Sequence, residues 1–251
     1  STPIALVTGA SRGLGHSTAL HLAQHGHDII LTYNTQQAQA ATTVAQIEAL
    51  GRKAVALQLD VADSRRFADF AAQVRTALQT QWKRTSFDVL VNNAGTGTHA
   101  SLMDTTEAQF DDLVNVHFKG VFFLTQKLLP LLADSGRIVN VSTGLTRFAL
   151  PGYSAYASMK GAVEVMTRYM AKELGPRGIA VNTVAPGAIA TDFGGGAVRD
   201  NAALNAFVAS QTALGRVGEA DDIGAMIASL VGSGNRWVNA QRIEVSGGMF
   251  V

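Results

Sequence analysis

Short β-rich runs alternate with longer periodic stretches along this chain, and that alternation restricts its fold more than any other feature. The runs are Ile4 to Val7, Asp28 to Thr32, Ala54 to Leu59, Asp88 to Val91, Arg137 to Val141, Ile179 to Val184 and Arg242 to Val245. Between them lie Gln37 to Leu50, Ser64 to Leu78, Glu107 to Leu132, Ala155 to Leu174 and Asp221 to Leu230, all with helical periodicity. Connections of this length do not close hairpins, and strands apolar on both faces need cover on both sides. The pattern predicts an α/β fold, a doubly wound Rossmann-type parallel sheet of seven strands with helices on both faces.

The 251 residues and 47% apolar content are enough to bury one large core. No repeat, low-complexity tract or Pro/Ser-rich linker divides the chain, so a single domain over residues 1–251 is expected. The net charge is +1 with Lys and Arg scattered, which gives no basic stripe for nucleic acid. There is no cysteine, which removes disulfides, thiolate metal sites and thiol nucleophiles. The longest apolar run, Val121 to Leu132, is interrupted by Gln126, Lys127 and Pro130 and cannot span a bilayer. The first strand begins within a few residues of Ser1, with no room for a signal peptide before it, so a cytoplasmic protein is expected.

Chemical motifs fall just after the strands: Gly9 to Gly15, Tyr33-Asn34, Asp60-Val61, Asn92 to Gly95, Ser142-Thr143 and Pro186-Gly187. In a parallel sheet the ligand lies beyond the carboxyl ends of the strands. Thr8-Gly-Ala-Ser-Arg-Gly-Leu-Gly15 joins a strand to a helix. There Gly9 makes the tight turn, Gly13 lets the chain approach a pyrophosphate, and Gly15 allows close helix packing. The amides of Ser11, Arg12, Gly13, Leu14 and Gly15, with the helix dipole behind them, then face the phosphates. A purely structural glycine turn is the bland alternative. Tyr156 and Lys160 stand four residues apart on one helix face, a spacing that on its own also describes ordinary surface pairs.

Taken together, Thr8-Gly-x-x-x-Gly-x-Gly15, Asp60, Asn92-Asn-Ala-Gly95, Asn115, Tyr156/Lys160 and Pro186-Gly187 resemble the short-chain dehydrogenase/reductase family in its single-domain form. The chain is similar to bacterial carbonyl and β-ketoacyl reductases of that family over essentially its whole length. The resemblance implies NAD(P)-dependent reduction of a ketone or aldehyde, or the reverse alcohol oxidation, with Tyr156 as proton donor. It further implies that Lys160 bonds the nicotinamide ribose and that Asn115 holds a water linking the lysine to solvent. A nearby ammonium is expected to lower the Tyr156 pKa. Thr143 lies thirteen residues before Tyr156, where the family has serine, and is expected to orient the substrate, with Ser142 in reserve.

An NAD-preferring site usually carries an acid after the second strand, and Leu31-Thr-Tyr-Asn-Thr35 has none. Arg12, with Asn34 and Thr35, can meet a 2′-phosphate instead, so NADP(H) is expected over NAD(H). By resemblance, Asp60 and Val61 hold the adenine, Asn93, Ala94 and Gly95 its ribose side, and Pro186, Gly187, Ile189 and Thr191 the nicotinamide end. Thr191 to Thr212 lacks strand character and reads as a mobile flap over the site. Phe148, Tyr153, Phe193 and Phe207 suit an apolar pocket or ordinary core equally well. No metal is expected, and His21 and His25 read as a solvated helix face. His99 reads as a loop residue, and Ser158-Met-Lys160 is not taken as a hydrolase dyad. The faces of Ala155 to Leu174 and of the last strand resemble those on which the family forms homotetramers or homodimers. A catalytically silent NADP(H) sensor is the rival from another class, and an enoyl reductase is the rival among enzymes.

Overall fold

Alternate residues of strand β1 (Ile4–Val7) enter two separate cores, as a period-two pattern requires. Ile4 and Leu6 join Phe67, Phe70, Leu124 and Leu128 on one face, while Ala5 and Val7 join Ala19, Leu22, Ile223 and Ile227 on the other. The computed structural model describes residues 2–251. Beside β1 stand β2 (Asp28–Tyr33), β3 (Ala54–Gln58), β4 (Phe87–Asn92), β5 (Leu132–Val141), β6 (Ala180–Pro186) and β7 (Arg242–Val245). All pair in parallel, in the order β3-β2-β1-β4-β5-β6-β7.

The first core is covered by α1 (Gly13–Gln24), α2 (Gln37–Ala49) and, from the far end of the chain, α9 (Ala220–Leu230). The second is covered by α3 (Phe67–Ala77), α5 (Gly120–Leu128) and α6 (Ser154–Leu174). The strand order turns back between β1 and β4, and that reversal opens a crevice at the carboxyl ends of the strands.

Glu107 to Leu132 is not one helix. It divides into α4 (Glu107–Leu113), a π-helical turn at Val114–Lys119, α5, and a 3₁₀ turn at Leu129–Leu131 holding Pro130. Thr106 and Gln109 start α4 with a reciprocal capping box at 3.2 and 3.0 Å. The wide turn ends where the Gly120 N–H reaches the Asn115 carbonyl. A Cβ on Gly120 would stand 2.3 Å from the Val61 carbonyl oxygen, so the helix can pass the β3 loop only with glycine there. Gly120→Ala is expected to cost about 1–3 kcal/mol by overpacking against backbone. Chemical denaturation tests this, and an unchanged midpoint would contradict the close approach.

Two other segments differ from expectation. β5 begins at Leu132 rather than Arg137, because Leu132 pairs with Phe87 across a register shift and Ser135 takes a left-handed φ of 62° in between. Thr191 to Thr212 is largely helical, containing α7 (Ala197–Asp200) and α8 (Ala202–Ser210). Asn201 caps α8 by accepting from the Leu204 N–H at 3.0 Å. Gly194, Gly195 and Gly196 lead in with φ of 61°, 74° and 79°, which glycine adopts at little cost. Among the described residues no helix is long and apolar enough to cross a membrane.

Candidate functional site

The turn after β1 is shaped by its contacts. Gly9 has φ +63°, and a Cβ there would meet Ala94 Cα at 2.8 Å. A Cβ on Gly15 would meet the Gly9 carbonyl at 2.4 Å and Asn93 Nδ2 at 2.5 Å. Asn93 Nδ2 donates to the Thr8 carbonyl at 2.9 Å, which ties the loop after β4 to the glycine turn. Arg12 starts α1 with no side-chain cap, and the first turn holds no acid. The first-turn amides of Gly13, Leu14 and Gly15 are therefore left to an outside acceptor. Leu14 itself is half-buried and packs its side chain against the first core, so what it can offer a nucleotide is its main-chain amide alone. That packing also anchors the start of α1 to the sheet. Thr191, after β6, lies 3.9 Å from the position of a Gly13 Cβ, so the turn is bracketed from across the crevice. This cradle fits the pyrophosphate of a dinucleotide.

The end of β5 and the start of α6 bring the reactive groups together. Lys160 Nζ donates to the Val141 carbonyl at 2.8 Å, and Tyr156 and Lys160 are only 6% and 4% exposed. The ammonium sits 5.9 Å from the Tyr156 ring centre. Burial lowers the Lys160 pKa to about 8. Burial also pushes the Tyr156 phenol well above its ordinary value, against a smaller lowering by the Thr143 hydroxyl. The expected net lowering of the Tyr156 pKa is not seen, because desolvation outweighs the Thr143 hydroxyl and the neighbouring Tyr153 adds to the rise.

Thr143 and Ser142 point to different partners. Thr143 Oγ1 accepts from the Leu145 N–H at 3.3 Å, which leaves its own proton available to donate. Ser142 Oγ donates to Glu164 Oε1 at 2.7 Å. That carboxylate oxygen also accepts from Thr146 Oγ1 at 2.7 Å and Arg242 Nε at 2.9 Å. Arg242 Nη2 donates onward to the Thr143 carbonyl at 3.2 Å, bracing the turn from below.

Asn115 is half-buried on the π-helical turn, and its side chain makes no hydrogen bond among the described residues. The residue that meets Tyr156 from this helix is His117, fully buried with its ring edge-on to the phenol at 5.1 Å between centres. His117 is not among the residues that the sequence motifs single out. Its signal was a histidine at a core position in Val116-His-Phe118, directly before the glycine-led start of α5.

Among the cofactor candidates, Asn34 and Thr35 follow β2, and no acid stands between Tyr33 and Gln37. Arg12 is exposed and lies 3.7 Å from Asp192, which also pairs with Arg199. Asp60 Oδ1 accepts from the Ala62 N–H at 2.9 Å, forming a turn, while Asp63 caps the 3₁₀ turn that precedes α3. Val61 lies beside it, half-buried. Gly187 runs against Ser246, where a Cβ would be 2.8 Å from Cα, and Ile189 bridges to Gly218. Phe193 leans over the crevice, 5.8 Å from the Tyr156 ring centre and in van der Waals range of Gly97. His99 stacks edge-on to Tyr153 at 5.0 Å. His21 faces Asp221 at 3.3 Å and His25 bonds the His21 carbonyl, and no cluster of three metal-ligating side chains occurs among the described residues.

Comparison with known proteins agrees with this geometry. The family described as Enoyl-(Acyl carrier protein) reductase matches residues 9–250. The 3-oxoacyl-[acyl-carrier-protein] reductase FabG of Staphylococcus aureus is 38% identical over 100% of this chain and 99% of its own. Among solved structures, the promiscuous reductase LugOII, which catalyses keto-reduction at C1 during lugdunomycin biosynthesis, superposes with a TM-score of 0.93 at 38% identity, covering 98% of this chain and 96% of its own. The angucycline C-6 ketoreductase LanV with bound NADP gives 0.94 at 33% identity, covering 99% and 95%. Fold and site define an NAD(P)-dependent oxidoreductase with a doubly wound sheet. Within that class, the chain belongs to the short-chain dehydrogenase/reductase family.

Proposed function

We propose that the protein reduces a ketone with NADPH, Tyr156 delivering the proton while Thr143 orients the carbonyl. The observation that carries this reading is the convergence of Thr143, Tyr156 and Lys160 at the carboxyl end of β5, opposite the glycine turn. NADPH, when bound, supplies the hydride. Arg12, Asn34 and Thr35 would take its 2′-phosphate, the amides of Gly13, Leu14 and Gly15 its pyrophosphate, and Lys160 its nicotinamide ribose. Tyr156, kept protonated by burial, donates to the carbonyl oxygen as charge develops there. Thr143 donates a second hydrogen bond to the same oxygen. Ser142 is committed to Glu164 and serves the turn rather than the substrate.

Phe193, Tyr153 and His99 present rings at the mouth of the crevice, which suits an apolar, ring-bearing ketone. The named ketoreductases that this fold superposes on support the same class. The exposed apolar residues Phe122, Phe123, Val165 and Tyr169 on α5 and α6 support a homo-oligomer built through those helices.

The direct test follows NADPH absorbance against aromatic polycyclic ketones, β-ketoesters, quinones and sugars, with NADH as control. Turnover of none of them despite NADPH binding would overturn the reading. A pH dependence follows from Lys160. Its pKa of about 8 means that the ammonium which recharges Tyr156 is lost as pH rises through that value. At limiting NADPH, where kcat/KM reports the free enzyme, the rate of reduction should be flat below about pH 8 and fall about tenfold per unit above it. A profile flat to about pH 10 would remove Lys160 from the proton path.

A further inference from the structure

Glu164 extends the stripe that Tyr156 and Lys160 begin on α6, since the three stand at successive intervals of four residues. Lys160 holds the Val141 carbonyl and Glu164 holds the Ser142 hydroxyl, so two consecutive residues at the end of β5 are tied to consecutive turns of one helix. Thr143 comes next. Its carbonyl is held from β7, at the edge of the sheet, by Arg242 Nη2 at 3.2 Å.

Glu164 and Arg242 act as one unit around this turn. Their side chains are 13% and 25% exposed and meet at 2.9 Å. Glu164 Oε1 also lies 2.7 Å from the Thr146 hydroxyl, which has a single proton to give. The Thr143 carbonyl stands 3.0 Å from that hydroxyl and competes for the same proton, and the charged acceptor at the shorter distance wins. The Thr143 carbonyl therefore depends on Arg242. Glu244 accepts from Arg242 Nη1 at 2.9 Å and orients the guanidinium from its other side.

The residue that this clamp holds makes it matter. Thr143 is β-branched, so its χ1 is stiff and the direction of its hydroxyl follows its backbone. That backbone lies at φ −159° and ψ 153°, in the broad extended region, where outside contacts must define it. Resting on the reductase reading above, we propose that Glu164 and Arg242 are positioning residues for the reaction. They set the Thr143 backbone, and through its stiff side chain they aim the hydroxyl at the carbonyl oxygen of the substrate. Neither touches substrate or cofactor, and both act through Thr143 at the step where charge develops on that oxygen.

The test places Glu164→Gln/Arg242→Met and Thr143→Ala in a double-mutant cycle, with folding followed by circular dichroism and NADPH affinity by fluorescence titration. Replacing both charges of a buried pair by neutral side chains leaves neither one orphaned, so the fold should persist. Glu164→Gln/Arg242→Met should lower kcat about 30-fold, the scale of a small misplacement of a reacting group, while KM for the ketone and NADPH affinity each shift less than about threefold. Arg242→Lys keeps the charge but cannot reach Glu164, Glu244 and the Thr143 carbonyl together, and should lower kcat about tenfold. In the Thr143→Ala background the paired substitutions should change kcat by less than about threefold, because no hydroxyl remains to be aimed. A loss as large in that background as in the parent means that the clamp serves the fold and overturns the proposal, as do paired and lysine variants as active as the parent. A crystal structure of Glu164→Gln/Arg242→Met decides independently of turnover. Thr143 Oγ1 displaced relative to Tyr156 Oη is expected, and an unmoved Thr143 overturns the assignment. A parent protein that reduces nothing refutes the reductase reading, and the crystal structure still reports on the clamp.

Discussion

Replacing Tyr156 by phenylalanine is expected to lower kcat by about 10²–10⁴-fold, the usual worth of a positioned proton donor, with NADPH affinity changed by less than about threefold. Only the phenol oxygen is removed. The ring keeps its contacts with His117 and Phe193, and the backbone of α6 is untouched. Burial that raises the phenol pKa makes Tyr156 a protonated acid across the neutral range. On the proposed mechanism, oxidation of an alcohol, which needs the phenolate, should require higher pH than reduction does. NADPH absorbance and fluorescence titration on the same preparation separate chemistry from binding. Turnover that survives the substitution with binding intact would show that the proton comes from elsewhere.

This expectation depends on the surroundings of Tyr156 more than on its spacing from Lys160. Many helices carry tyrosine and lysine at four residues, and here both are buried beside the end of β5. Val141 offers its carbonyl to Lys160, the Thr143 hydroxyl acts to lower the phenol pKa, and Glu164 holds Ser142. The choice between Thr143 and Ser142, left open by sequence, therefore turns on Glu164 and Arg242, which lie 22 and 99 residues from their partners in this network.

All seven strands could be located in the sequence because each contains a β-rich run separated from the next by a long periodic segment, and the glycine turn could be read because strand, glycines and helix follow in order. Three features could not. The start of β5 at Leu132 is hidden by Asp134-Ser-Gly136, a turn signal that the structure accommodates as an irregularity inside a strand. α7 and α8 are short and lie among glycines and polar residues, where helical periodicity has too few turns to show. The π-helical turn at Val114–Lys119 changes which residues face the site, since the wider turn shifts every later side chain around the helix. Asn115 is the residue named from the sequence, while the three-dimensional turn brings His117 against Tyr156. Register inside an irregular helix is a tertiary property, fixed here by Gly120 against Val61 and by Gly95 against His117.

The second large effect concerns Arg12. Arg12→Ala is expected to weaken NADPH by about 10–100-fold, the range for losing a charge-assisted hydrogen bond of about 1.5–3 kcal/mol, while NADH changes by less than about threefold. The side chain is 55% exposed at the start of α1, and its one ionic partner among the described residues is Asp192 at 3.7 Å. That pair is long, solvent-screened and shared, because Asp192 also bonds Arg199. It contributes little by itself. A 2′-phosphate carries more charge than a carboxylate and accepts the guanidinium in two parallel bonds, so it should displace Asp192 from Arg12 and leave Asp192 to Arg199. Two further outcomes follow from this competition. NADPH affinity should fall with added salt more steeply than NADH affinity, and Asp192→Asn should tighten NADPH without affecting NADH. Titration of each nucleotide at two ionic strengths measures all three. Equal weakening of NADH and NADPH by Arg12→Ala would mean that Arg12 shapes the glycine turn instead, and selection of the phosphorylated cofactor would then rest on Asn34, Thr35 and the absence of an acid after β2.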